Sequence, residues 1–398
     1  MSALSRFVAL YALMYAAFGV SSPFLPAFFH GQGLTPDQVG IVFGVGTAIR
    51  LASGPLCGRL ADLTQALRAV LAVCAALAAL VVLGLLWARG FSTLLTISAV
   101  HAAALAPITT LADALALGAA RAGGGDTGFQ YGWVRGTGSA VFIIGTLLSG
   151  QAISAWGLAS IIELHGALLI AAAGAAMLIP RPGCQEVLVI ATAARQSGIV
   201  ELLRMPRFRR VMLVSALVLG SHAMHDTFAV MRWSAADITP AMASVLWSES
   251  VAAEVVVFFI IGPSLVQRLG PAGTIALAAG AGVLRWAVIG WTANVMALAL
   301  VQPLHGLTFA ALHLACMHVI AVIVPQRLAA TAQALYALGA GGTTALLTLA
   351  SGGLYASFGA RGFFVMAALC ALVPPMTCRL RSVSPPTDNL SKPCDLSQ

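Results

Sequence analysis

Apolar runs of about twenty residues recur along the whole chain, a pattern that few architectures can accommodate. Polar punctuation delimits twelve of them, roughly 7–29, 38–58, 69–87, 92–117, 129–152, 158–179, 209–231, 241–261, 272–291, 294–320, 329–352 and 362–378. At 1.5 Å per residue a helix of that length crosses a hydrocarbon core of roughly 30 Å. With 60% hydrophobic and 9% charged residues and a mean hydropathy of +0.94, a water-soluble fold of 398 residues could not hide this surface. Continuous apolar runs also exclude a spanning barrel, whose strands would alternate over about ten residues. The expected fold is an all-α integral membrane protein with twelve transmembrane helices.

A net charge of +8 could indicate a nucleic-acid partner, but its distribution argues for topology instead. With the N-terminus inside, Arg6, Arg59, Arg68, Arg121 and the arginines of 181–210 fall on one side, as do Arg268, Arg327, Arg379 and Arg381. Arg89, Arg232 and Arg361 fall on the other. By the positive-inside rule both termini are expected in the cytoplasm, and the lipid bilayer rather than nucleic acid is the expected partner. The first apolar run is too long for a cleaved leader and is expected to stay as an anchor. The seven cysteines show no C-x-x-C spacing, so neither a disulfide framework nor a zinc or other metal site is expected. Lys392 is the single lysine, so the chain can hold neither a lysine-bearing phosphate loop nor a retinal Schiff base. The Gly-rich Gly123 to Asp126 falls in a loop, away from the bilayer site an aspartyl protease would need. Without a nucleophile or metal cluster, no enzyme is expected. Energy for any pumping would have to come from a gradient or from another subunit, with no cofactor.

The chain repeats itself at an offset of 204 residues. Thr35-Pro36 meets Thr239-Pro240, Gly58 meets Gly262, Trp87 meets Trp291, and His101 meets His305. "LSGQAISAWG" and "ASGGLYASFG" bring Gly150 onto Gly352 at offset 202. Two related halves are expected: a first six-helix bundle over 1–180, a cytoplasmic linker over 181–207, a second bundle over 208–382, and a cytoplasmic tail over 383–398. Such parallel halves resemble the plan of the major facilitator superfamily, with its substrate site between the halves near the bilayer midplane. "GRLAD" (Gly58 to Asp62), followed by Arg68, resembles a weak form of that superfamily's signature, implying a cytoplasmic gating loop at Gly58, Asp62 and Arg68.

Ionised residues at mid-helix cost roughly 2.5–3.5 kcal/mol on insertion scales, so they face a cavity or a partner. The set comprises Arg50, Asp113, Arg135, His225, Asp226, Glu249, Glu254 and Arg285, joined by His101, His222, His305 and His313. At offset 204 Arg50 coincides with Glu254. Either Arg50 attracts an anionic substrate while Glu254 carries a proton, or neighbouring helices neutralise each and the charges merely hold the bundles together. Asp113 and Arg135 flank one cytoplasmic loop and form a second candidate pair. His305 and His313, eight residues apart, project within about 80° of each other on a regular α-helix. They could relay protons or pack as neutral hydrogen-bonded rings. Trp133 and Trp247 could stack on a ring-bearing substrate or serve packing.

"QYGWVRGTGSAVFIIG", "VLWSESVAAEVVVF", "GVLRWAVIG" and "LHGLTFAALHLACMHVIA" together resemble the bacterial 3-phenylpropionate permease family, and more distantly lactose permease. The resemblance implies that Arg135 binds substrate with Asp113 as its partner, that Arg285 belongs to the proton site, and that His305 is the helix-10 histidine. Thr308 stands where lactose permease has its proton-carrying glutamate. Glu254 is then the first alternative carrier and Asp226 the second. It also implies a multi-pass protein of the bacterial cytoplasmic (inner) membrane.

The expected function is secondary active transport, a proton symport of a small organic solute by alternating access. An aromatic or other organic carboxylate is favoured, with Arg50, Asp113, Arg135, His305 and His313 at the substrate and Glu254, Asp226, Arg285 and His305 coupling the proton. A sugar or nucleoside is the alternative substrate. A membrane sensor or scaffold that moves nothing is the alternative of another class. Twelve helices suffice for one pathway, so the monomer is expected to work alone.

Overall fold

The computed structural model describes residues 2–122, 129–179 and 195–380. Its first six spans are α1 (Ala3–Ser21, followed by a short turn of helix at Leu25–Gly31), α2 (Pro36–Thr64), α3 (Leu67–Leu83), α4 (Phe91–Ala122), α5 (Tyr131–Trp156) and α6 (Ala159–Leu178). A short helix, Arg195–Arg204, lies within the polar stretch expected to link the halves. It buries Leu202 and ties to the second half through a Glu201–Arg327 ion pair at 2.6 Å. The rest of that stretch between 180 and 194, the Gly123 to Asp126 loop and the tail over 383–398 lie outside the described residues, as does the Asp62 side chain.

α7 is Pro206–Gly220 continued by Ala223–Ser234. The helical stretch Pro240–Trp291 has 52 residues, about 78 Å at 1.5 Å per residue and more than twice a bilayer core. It holds two spans: α8 (Pro240–Val256, with a π-helical extension Val257–Ile261) and α9 within Gly262–Trp291, divided where Gly270 adopts φ 67°. α10 runs from Val295–Val301 through irregular turns to Leu312–Ile323. The stretch Gln326–Thr377 likewise divides at Gly359 (φ 53°) into α11 (Ala329–Phe358) and α12 (Phe363–Ala371). Twelve spans result, arranged as two six-helix bundles.

Local chemistry explains the starts of equivalent helices. Thr35 caps α2, its Oγ1 accepting from the Gln38 amide while Gln38 Oε1 accepts from the Thr35 amide. Thr239 caps α8 by accepting from the Met242 amide, and each cap is followed by a proline that needs no N–H partner in the first turn. These are the two ends that the 204-residue repeat superposes. Leu80, Leu148, Leu300 and Leu346 face outward, as lipid-covered side chains do. Trp87, Trp156 and Trp291 are exposed at the ends of α3, α5 and α9, at the level of an aromatic belt.

Small residues set the packing. A Cβ on Gly19 of α1 would collide with the Phe142 carbonyl oxygen of α5, so the backbones touch. Between the bundles the closest backbone-to-backbone approaches lie at one end, whereas nearer the middle Gly341 of α11 meets only the Leu51 side chain of α2. At Gly40 a Cβ would stand 2.9 Å from Gly352 Cα, and at Gly150 2.6 Å from the Pro240 carbonyl oxygen. The starts of α2 and α8 are thereby sealed against the ends of α11 and α5, opposite the chain termini. Toward the termini, Gly54 and Gly58 of α2 and Gly132 and Gly136 of α5 meet no atom within 4 Å of where a Cβ would stand. The bundles are closed at one end and parted at the other.

Candidate transport site

Between the bundles lies a cavity of about 710 Å³, walled by α1, α2, α4, α5, α7, α8, α10 and α11. Much of its wall is apolar and aromatic, with Phe18, Phe43, Phe142, Trp247 and Phe309. Arg50, His101, His222, His225, Asp226 and His305 supply most of its charge and polarity. Such a surface, apolar with a few fixed polar groups, suits a small organic molecule.

Arg50 stands on α2, one turn beyond Thr47, on the face that lines the cavity. Among the described residues no carboxylate lies within 4 Å of its guanidinium, and no hydrogen bond holds it. It is not paired with Glu254, which is absent from the cavity wall and instead meets His305, Oε2 to Nε2, at 3.4 Å. The equivalence of Arg50 and Glu254 in the repeat is one of position, without an ion pair between them.

A continuous polar network joins the expected proton residues. Arg285, fully buried on α9, donates through Nη1 to His305 Nδ1 at 3.1 Å and through Nη2 to Gln302 Oε1 at 2.9 Å. Its Nη2 also lies 3.5 Å from His225 Nε2, which is 3.4 Å from the Gln302 amide nitrogen. His225 Nδ1 reaches Asp226 Oδ1 at 3.2 Å. Guanidinium and amide N–H groups can only donate, which makes His305 Nδ1 and His225 Nε2 acceptors. Each neutral ring then carries its hydrogen on the other nitrogen: His225 Nδ1 donates to Asp226, while His305 Nε2 lies within ion-pair distance of Glu254 without a hydrogen bond to it. The four residues expected to couple the proton are thus joined, with Arg285 at the centre and a carboxylate at each end.

Backbone irregularity makes this possible. α7 breaks at Ser221 and His222, while α10 carries a tight turn at Gln302–Leu304 and a π-helical turn at Leu307–Ala311. The π-helical extension of α8 packs beside the latter: a Cβ on Gly306 would stand 2.6 Å from the Ala253 carbonyl oxygen. Inserted turns of this kind collect at functional sites. They also overturn the regular-helix premise behind the 80° relation of His305 to His313. His313 sits outside the cavity wall, stacked on Phe258 with ring centroids 6.1 Å apart and edge-on to Tyr336.

Asp113 and Arg135 are likewise absent from the wall and do not pair with each other. Asp113 accepts from the hydroxyls of Tyr11 and of Tyr131, the latter at 2.8 Å. Arg135 lies 5.0 Å above the Tyr15 ring. Two tyrosine hydroxyls meet the carboxylate's need, and the aromatic face takes the cation. Arg135 and His313 are, however, charges that act on Glu254. Arg68, from the expected gating loop, donates to the Ile179 carbonyl at 2.8 Å and holds the end of α6, and Gly58 faces open space. Trp133 is exposed and absent from the cavity wall, whereas Trp247 stacks on His225 with centroids 5.1 Å apart. Glu249 does not line the cavity.

The sequence reading passed over Gln302 and His165. Gln302 lies in an apolar run three residues before His305, and a buried amide there signals a partner as a charge does. His165, on α6, is 1% exposed and sits 3.3 Å from His101.

The comparisons with known proteins agree with this architecture. The family model described as the MFS_1 like family matches residues 4–366. A protein of Escherichia coli (strain K12) named "Probable 3-phenylpropionic acid transporter" is 30% identical over 375 residues, covering 91% of this chain and 94% of its own. "Uncharacterized transporter YwbF" of Bacillus subtilis (strain 168) is 22% identical, covering 77% of this chain and 74% of its own. Among solved structures, nucleoside transporter NupG superposes with a TM-score of 0.80 at 16% identity, covering 96% of this chain and 100% of its own. A bacterial homologue of the human lysosomal transporter Spinster, inward-facing and unoccupied, gives 0.69 at 15% identity, covering 94% and 95%. At those identities the likeness is one of fold. These relatives are transporters rather than enzymes, and with a family model spanning nearly the whole sequence, the chain belongs to the MFS_1-like family of membrane transporters.

Proposed function

We propose that this protein imports a small organic carboxylate together with a proton across the bacterial cytoplasmic membrane, with both termini in the cytoplasm. An arylalkanoate such as 3-phenylpropionate is the favoured substrate. The observation that carries this reading is Arg50, a cation without an anionic partner among the described residues, in a cavity walled by phenylalanines and Trp247. An aromatic carboxylate supplies what is missing: a charge-assisted bond for Arg50 and a ring for the apolar wall. The name of the Escherichia coli relative supports the same class.

In this account the parted end faces the cytoplasm, so the structure is the inward-open state. Proton binding at the Glu254–Asp226 network removes one negative charge from a set that holds two carboxylates and one guanidinium. Neutralising that set lowers the cost of moving it through the closed intermediate, which is how proton and substrate would travel together. The energy source is the proton gradient, and one chain encloses one pathway.

Isothermal titration of 3-phenylpropionate into the purified protein tests the substrate site. Arg50→Gln should weaken binding by roughly tenfold or more, since a charge-assisted bond is worth about 1.5–3 kcal/mol. Arg50→Lys should recover part of it. Unchanged affinity in Arg50→Gln would refute the role given to Arg50. Binding of uridine in place of 3-phenylpropionate would move the substrate class to nucleosides.

A further inference from the structure

Away from that network, α4 and α6 bring two buried histidines together. His101 and His165 are 5% and 1% exposed, their rings lie edge to face with centroids 5.3 Å apart, and their Nε2 atoms are 3.3 Å apart. His101 Nδ1 lies 3.0 Å from the Ala78 carbonyl oxygen of α3, and His165 Nδ1 lies 2.7 Å from the Ala17 carbonyl oxygen of α1.

A carbonyl only accepts, so each Nδ1 must carry a hydrogen. Two neutral imidazoles own one N–H apiece, and both hydrogens are then used on the carbonyls. The Nε2 atoms would face each other lone pair to lone pair. Moving either hydrogen to Nε2 merely transfers the clash to a carbonyl. These three contacts need three hydrogens, one more than the neutral pair has.

We propose that His101 and His165 hold a proton between their Nε2 atoms, as an imidazole–imidazolium pair that forms a second proton-binding site in the first six helices. The balance is simple: one proton enters from water, one N–H···N bond forms, nothing is oxidised, and the pair gains one positive charge. His101 lines the cavity, which gives the proton a route in. Arg50 on α2 is the like charge that faces both rings, and its repulsion works against the added proton until an anion offsets it. α1 and α3 present the two carbonyls, and Glu163, two residues before His165 on α6, is exposed. The held proton and Arg50 make one wall of the cavity positive, so an anionic occupant and the proton favour each other. That last consequence rests on the carboxylate reading above; the site itself does not.

Nitrogen NMR of the full chain, labelled with ¹⁵N-histidine in detergent micelles, tests the site. The expected result, in mildly acidic buffer, is a nitrogen–nitrogen coupling across one N–H···N bond, with an imidazolium signature. His165→Asn keeps a donor near the Ala17 carbonyl but has no Nε2, and should abolish the coupling. His101→Asn should abolish it equally, and gives the assignment if the first variant does not fold. A folded wild type without such coupling, or a coupling that survives in either variant, overturns the proposal. Saturating 3-phenylpropionate should strengthen the signal. If the coupling is present but indifferent to that ligand, the site stands and the carboxylate reading fails.

Discussion

Arg285 Nη1 meets His305 Nδ1 at 3.1 Å, and that contact decides which imidazole nitrogen faces Glu254. With Nδ1 accepting, Nε2 carries the hydrogen and lies 3.4 Å from the carboxylate. The same guanidinium imposes the mirror arrangement on His225, whose Nδ1 then serves Asp226. One buried arginine therefore sets two tautomers and holds two carboxylates at the ends of a single chain of contacts. Its Nε has no partner among the described residues, so the centre of the network keeps an unmet donor.

Arg285→Leu should destabilise the protein. It leaves Gln302 Oε1 and His305 Nδ1 without their donor, while His225 Nε2 keeps only the Gln302 amide. Each unmet buried group costs roughly 1–3 kcal/mol, so a fall of several degrees in Tm is expected by thermal unfolding in detergent. An unaltered Tm would mean that the network does not hold these groups.

Glu254→Gln should separate coupling from translocation. The amide keeps the size of the side chain beside His305 but cannot release a proton at physiological pH. Gradient-driven accumulation is expected to fall by at least tenfold while counterflow exchange between equal substrate pools persists. Retained accumulation would move the carrier to another group, with Asp226 the first to substitute.

Gly40 and Gly352 touch where the bundles close, since a Cβ on the first would stand 2.9 Å from Cα of the second. Gly40→Val should therefore prevent closure at that end and favour the opposite state. A cysteine placed at Thr348, in the cavity wall, should then react faster with an impermeant maleimide added from the outer side. Equal labelling rates with and without Gly40→Val would show that this contact does not govern the state.

Asp113 is expected to serve stability rather than binding. It takes hydrogen bonds from Tyr11 and Tyr131 and does not line the cavity. Asp113→Leu should lower Tm by several degrees at roughly 1–3 kcal/mol per stranded hydroxyl, with substrate affinity changed less than twofold. A large loss of affinity in a well-folded Asp113→Leu protein would return this residue to the substrate site.

The membrane-spanning plan was legible because hydrocarbon leaves so few solutions: runs of apolar residues, arginines to one side and a repeat at offset 204 suffice. Arg50, Asp226, Arg285, Glu254 and His305 were legible by the same rule, as costly groups at mid-helix. Their partners were not. Asp113 and Arg135 lie near one loop in sequence, but Tyr11, from a helix a hundred residues away, reaches the carboxylate instead. His313 was misplaced because a π-helical turn at Leu307–Ala311 leaves no mark in hydrophobic periodicity. Gln302 and His165 were passed over because a neutral amide and a lone histidine stand out less than a charge, although burial makes the same demand of them.

Under the proposed function a proton gradient drives substrate into the cell through the cavity that holds Arg50. The most direct test is uptake of labelled 3-phenylpropionate by proteoliposomes under an imposed inward proton gradient. Liposomes carrying Arg50→Gln serve as the reference, because the neutral acid crosses lipid unaided. The account predicts accumulation well above that reference, collapsing when a protonophore is added. Accumulation equal to the Arg50→Gln reference, or unaffected by the protonophore, would contradict it.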